Sequence, residues 1–79
     1  MAELITKIHE LRRANKVSQA ELAAAVGIRR ETLSLLENGK YNPSLLLAMR
    51  IAQYFHKPVE EVFEFEEDDE EFFDEELPF

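Results

Sequence analysis

From Ile8 to Phe55 the apolar residues recur at spacings of three and four, the repeat of α-helices with one buried face. Thr6 is the expected N-cap of a first helix that turns Ile8, Leu11 and Ala14 inward and sends Arg12 and Arg13 to other faces. Asn15 and Lys16 break it. Ser18, followed three residues later by Glu21, forms a capping box, each side chain accepting from the other residue's backbone N–H. The second helix then runs from about Gln19 to Val26, with Leu22 and Val26 inward. Gly27 closes it, because glycine reaches positive φ without steric cost. A third helix spans about Arg30 to Glu37, with Leu33 and Leu36 inward, and Asn38-Gly39 stops it. Asn42 and Pro43 read as N-cap and first-turn proline of a fourth helix reaching about Phe55. That helix is apolar nearly all round: Leu45, Leu46, Leu47, Met49, Ile51, Tyr54 and Phe55. A small monomer cannot hide every such face, so one of them is expected to meet a second copy of the chain. Pro58 opens a short fifth helix through Val62.

At Val62 the period changes. The segment VFEFE, Val62 to Glu66, alternates apolar and acidic residues, the repeat of a strand. A lone strand is unstable, and the extended partner on offer is Ala2 to Ile5, which predicts a small antiparallel pair joining the two ends. The expected architecture is all-α: five helices with a small terminal β pair. Residues 1–65 form the domain and 66–79 an acidic tail.

Net charge alters this picture because it is divided. The chain has 79 residues and a formal charge of −8. Met1 to Val59 holds nine Lys or Arg against five acids, a charge of +4, whereas Glu60 to Phe79 holds twelve acids and no base, −12. A basic body with an acidic appendage is the asymmetry of a nucleic-acid binder. There is no Cys, which excludes disulfides and thiolate metal sites, and His9 and His56 have no ligand-like spacing. No cofactor or metal is expected. No apolar run approaches the ~18 residues that span a bilayer, and no secretory signal precedes the first helix, so a cytoplasmic protein without membrane contact is expected. Ser18 and Ser34 have no paired base and there is no Gly-rich phosphate loop, so an enzyme is not expected.

Two short helices that cross steeply, a small Ala23 at their closest approach, Gly27 at the turn, and Leu22, Val26, Ile28, Leu33 and Leu36 filling the angle make a helix-turn-helix. The stretch SQAELAAAVGIRRETLSLLENGKYNPSL resembles that of the Cro/phage-repressor (XRE-like) regulators, and LENGKYNPSL with VEEVFEF resembles the short one-domain branch of the family. The likeness covers about Thr6 to Phe65.

The resemblance implies a lambda-repressor-like DNA-binding domain and a role for each matching position. Arg30, Glu31 and Leu35 fall where family members read base edges. Gln19 would contact a phosphate at the start of helix two, and Lys40, Tyr41 and Asn42 match a loop that grips backbone phosphates. Arg29 takes the place of a common Ser or Thr cap and, with Ser34, is expected at the DNA backbone. Arg12 and Glu37 match a partly buried ion pair tying helix one to helix three. Chemistry agrees with the base-reading set: Arg30 can donate twice to guanine, Glu31 can accept from cytosine N4, and Leu35 can touch a thymine methyl. Two plainer alternatives stand beside these roles: the arginines as a solvated helix start, and Glu31 as the partner that orients one of them.

The implied function is a transcriptional regulator, a repressor by promoter occupation. It would bind a palindromic operator on double-stranded DNA as a homodimer built on helix four and the C-terminal segment, its recognition helices ~34 Å apart. The tail, EEDDEEFFDEELPF, leaves four readings open: a disordered solubilising extension, a cover for the basic face, a dimer contact through Phe72, Phe73, Leu77 and Phe79, or a handle for a second protein. The last belongs to the alternative function, an antitoxin-like or adaptor module working through its acidic end.

Overall fold

The computed structural model describes residues 2–67. The expectations for the acidic tail beyond that point lie outside the described residues. In chain order the elements are β1 (Ala2–Thr6), α1 (Ile8–Asn15), α2 (Gln19–Val26), α3 (Arg30–Glu37), α4 (Leu45–Tyr54), a single 3-10 turn (Val59–Glu61) and β2 (Phe63–Glu67). β1 and β2 pair antiparallel, from Ala2 opposite Glu67 to Thr6 opposite Phe63. The terminal β pair expected from the alternating segment is therefore present.

Four α-helices form among the described residues, not five. The segment after Pro58 makes only the 3-10 turn, because Val62 must return at once to the sheet, where its carbonyl accepts from Lys7 N–H at 2.8 Å. The same bond corrects the cap of α1. Thr6 is held in β1, its hydroxyl is buried without a partner, and the N-cap falls on Lys7, which makes no side-chain cap bond. The cap of α4 moves as well. Ser44, not Asn42, accepts from Leu47 N–H at 3.1 Å, and Pro43 stays in the lead-in, where its missing N–H is not needed. Ala14 lies in solvent, and the inward place on α1 expected for it belongs to Arg12.

The core is a contiguous group in which Ile8, Leu22, Leu33, Leu36, Ile51 and Val62 are sealed from solvent. Each long element gives it one side. On α4, Leu47, Ala48, Ile51 and Ala52 face inward and Leu45, Leu46 and Met49 face out. The sheet presents Leu4 and Phe63 to this core and the acids Glu3, Glu64 and Glu66 to the other face.

Gly39 locks the turn after α3 onto β1. Its φ is +73°, and a Cβ there would stand 2.6 Å from the Leu4 carbonyl oxygen. Gly39→Ala should therefore cost about 1–3 kcal/mol, read as a lower urea midpoint. An unchanged midpoint would mean that loop and strand are not locked together.

Candidate functional site

The α2–α3 corner is built by local chemistry first. Both halves of the Ser18–Glu21 capping box are made, Glu21 N–H to Ser18 Oγ at 3.0 Å and Ser18 N–H to Glu21 Oε1 at 2.9 Å. At the other end Gly27, at φ 81°, ends α2, and the Ala23 carbonyl accepts from both Gly27 N–H (2.9 Å) and Ile28 N–H (3.0 Å). A Cβ on Gly27 would meet nothing nearer than Arg50 Nη1 at 3.7 Å, so conformation rather than space requires glycine here. Ala23 is 2% exposed against the neighbouring helices, where a larger side chain would force them apart.

Under this corner lies a chain of polar contacts. Arg12 is the buried charged residue of the described region. Its Nε donates to Glu37 Oε2 at 2.7 Å and its Nη2 to Glu37 Oε1 at 3.2 Å, while Nη1 donates to the Val17 carbonyl at 3.1 Å. Gln19 Nε2 donates to the same Glu37 Oε1 at 3.0 Å. Arg30 Nη1 in turn donates to Gln19 Oε1 at 3.4 Å. His9 Nδ1 stands 3.2 Å from Arg12 Nη2, and because a guanidinium only donates, the imidazole nitrogen is the acceptor. The Glu37 side chain is 6% exposed, so α1, α2 and α3 meet at one nearly dry carboxylate. Inspection of the sequence places His9 on the exposed side of α1 and does not connect it to this pair. Its position three residues before Arg12, one helical turn away, is the signal that could have done so.

The outer surface of the corner is cationic and open. Arg29 and Arg30 are exposed at the start of α3, with Glu31 exposed beside them. Leu35, one turn on, is 49% exposed, and Ser34 between them is half-buried. Ser18 and Ser44 cap α2 and α4, but Arg29 occupies the cap of α3 and supplies no acceptor, which leaves the first-turn N–H groups of that helix open at its positive end. Lys40, Tyr41 and Asn42 are exposed in the following loop, where they line a cleft with Glu3, Leu4, Gly39 and Phe65. The loop and the start of α3 thus stand at opposite ends of one helix. Arg30 turns to Gln19 on α2, not to Glu31 as one alternative anticipates.

A helix-turn-helix family model matches residues 8–62 of the chain. An uncharacterised HTH-type transcriptional regulator of Archaeoglobus fulgidus is 50% identical over 64 residues, covering 81% of this chain and 90% of that protein. The uncharacterised HTH-type transcriptional regulator YgzD of Bacillus subtilis is 44% identical over 62 residues, 78% of this chain and 94% of that one. Among solved structures, the restriction-modification controller protein C.AhdI of Aeromonas hydrophila superposes with a TM-score of 0.65 at 31% identity, over 70% of this chain and 83% of that one. The transcriptional regulator VanUg shares the fold, with a TM-score of 0.71 at 22% identity over 85% and 89% of the two chains. No described helix is long and apolar enough to cross a membrane.

Removing one member of a buried ion pair strands the other. Arg12→Met should cost about 3–5 kcal/mol in chemical unfolding, and Arg12→Met with Glu37→Leu should recover most of it. Equal losses in the single and double variants would show that packing of the arginine stem, not charge, sets the value.

Proposed function

The chain belongs to the helix-turn-helix family and is a DNA-binding transcriptional regulator; on that premise we propose that it binds a palindromic operator as a homodimer and represses by occupying the promoter. The observation that carries this reading is α3 itself. It is a helix anchored on its inner side by Leu33, Leu36 and the Glu37 contacts, and left uncapped, cationic and solvated on its outer side. A helix placed in the major groove needs that combination: rigid support behind, donors in front.

In this reading Arg30, Glu31 and Leu35 face base edges. Arg29, Ser34, Lys40, Tyr41 and Asn42 lie along the sugar–phosphate backbone. The open N–H groups of the first turn of α3 suit a phosphate. Cations on phosphates supply affinity without sequence information, and base-edge contacts supply the discrimination, about 1–3 kcal/mol for each good one. These two classes separate experimentally. On sequences selected from random DNA, Arg30→Ala should relax preference at one base pair per half-site. Lys40→Ala should weaken all sequences alike and make the salt slope shallower by about one. Equal weakening by Arg30→Ala on selected and random duplexes would move Arg30 to the backbone set.

The outer face of α4 supports the homodimer. Leu45 is 71% exposed, Leu46 60% and Met49 47%, a contiguous apolar stripe on one helix, and Phe65 of β2 is 65% exposed. In sedimentation Leu46→Glu should give folded monomers that bind a full operator poorly; an unchanged mass would place the interface elsewhere. Leu47 is unsuited to this test, since at 8% exposure it belongs to the core of its own subunit.

A further inference from the structure

Resting on the assignment of the Lys40 loop to the DNA backbone, we propose that the cleft beside this loop receives the acidic end of the same chain, which there competes with DNA. Phe72 and Phe73 pack on Phe65, and the carboxylates that follow them lie along Lys40. Leu4 and Phe65 pair across the sheet, so both side chains point to its core-facing side. Leu4 is half-buried there against the core. Phe65 is 65% exposed, and Tyr41, which lines the same cleft, is 39% exposed. Among the described residues no carboxylate lies within ion-pair distance of Lys40. The cleft thus offers two open aromatic rings beside a cation. A sugar–phosphate backbone matches the cation and leaves the rings uncovered, whereas an acidic segment that carries aromatic residues matches both.

Residues 68–79 have that composition. They hold three Asp and four Glu against no base, a charge of −7, together with Phe72, Phe73, Leu77 and Phe79. β2 also delivers them to the right place. Its last residue, Glu67, is two positions past Phe65, about 7 Å along the strand. The five residues from Glu67 to Phe72 span at most about 18 Å, enough to turn back onto the Phe65 ring. Asp74, Glu75 and Glu76 follow directly, within reach of Lys40. A link this short holds the segment at an effective concentration on the order of millimolar, which favours a chain's own tail over that of a second copy in dilute solution. While it is docked, carboxylates stand where phosphate oxygens would go. Docking in about nine molecules of ten lowers the apparent DNA affinity about tenfold.

The chain has no Cys, so Asp74→Cys in the full-length protein gives a single site for a nitroxide label. That label should broaden the amide signals of Leu4, Tyr41 and Asn42. In a re-equilibrated mixture of isotope-labelled chains without nitroxide and nitroxide chains without isotope, the same signals should stay sharp. Phe72→Ser with Phe73→Ser should abolish the broadening, raise DNA affinity about tenfold and leave the sedimenting mass unchanged. Salt releases the tail as well as the DNA, so the wild-type salt slope should be shallower than that of this double variant. Sharp signals in both samples overturn the proposal. Broadening in the mixture gives the cleft to the tail of a second copy and overturns docking within one chain. A gain in affinity when the acids of 68–76 become Asn and Gln, without one in the Phe72/Phe73 variant, shows a tail that repels DNA without docking, and overturns it too. If Lys40→Ala leaves DNA binding intact, the loop assignment falls and the competition with it, while the broadening still decides whether the tail occupies the cleft.

Discussion

Glu37 ends α3, its carboxylate is almost out of reach of water, and the donors around it come from other helices: Arg12 from α1 and Gln19 from α2. A charge in that position is tolerable only with its partners present, since an unpaired buried carboxylate costs several kcal/mol. The arrangement therefore works as a registration device. Apolar packing among Leu22, Leu33 and Leu36 brings the helices together but permits small slides and rotations, whereas bonds of 2.7 to 3.2 Å at one carboxylate do not. The angle at which α3 leaves the body, and so what its outer face can reach, depends on that point.

Around it the molecule separates its chemistries by surface. The inner faces of the helices are aliphatic and closed. The outer face of α3 is cationic and uncapped, and that of α4 is aliphatic and open. The sheet carries Glu3 and Glu66 directly opposite each other on its solvent side, a like-charge pairing that weakens a ladder. What offsets it is the other face, where Leu4 and Phe63 pack on the core, with the Lys7 N–H bond to Val62 closing the end of the pair. The half-exposed Lys7–Glu64 ion pair at 3.6 Å adds little in water. The acids of this region are thus spread over an outer surface, away from the interior they would destabilise.

Much of the fold is legible along the chain because its signals are local. The Ser18–Glu21 box, Gly27, the bounds of α2 and the end of α3 follow from capping and turn chemistry within a few residues. The strand after Val62 follows from a change of period. Most departures arise where a distant partner decides. Thr6 looks like a cap until Val62 claims the neighbouring N–H for the sheet, and Pro58 looks like the start of a helix until the same strand shortens it to one turn. Ser44 takes the cap expected of Asn42. Of the site, the cationic start of α3 is visible in sequence because exposure follows from helical phase, and the loop at Lys40 because the family resemblance implies it. The bond from Gln19 to Glu37 is not, because 18 residues separate them and only the crossing of α2 and α3 sets their distance.

By itself, then, the sequence determined the first four helices and their order, the left-handed turn between α2 and α3, and the segregation of bases from acids, all of which are written in neighbouring residues. Tertiary structure alone decided which apolar residues of α4 face in, that Ala14 lies in solvent, and that Arg30 leans on Gln19 instead of Glu31. These depend on where one helix lies against another, and that position comes from packing summed over the whole core, which no short window of residues contains.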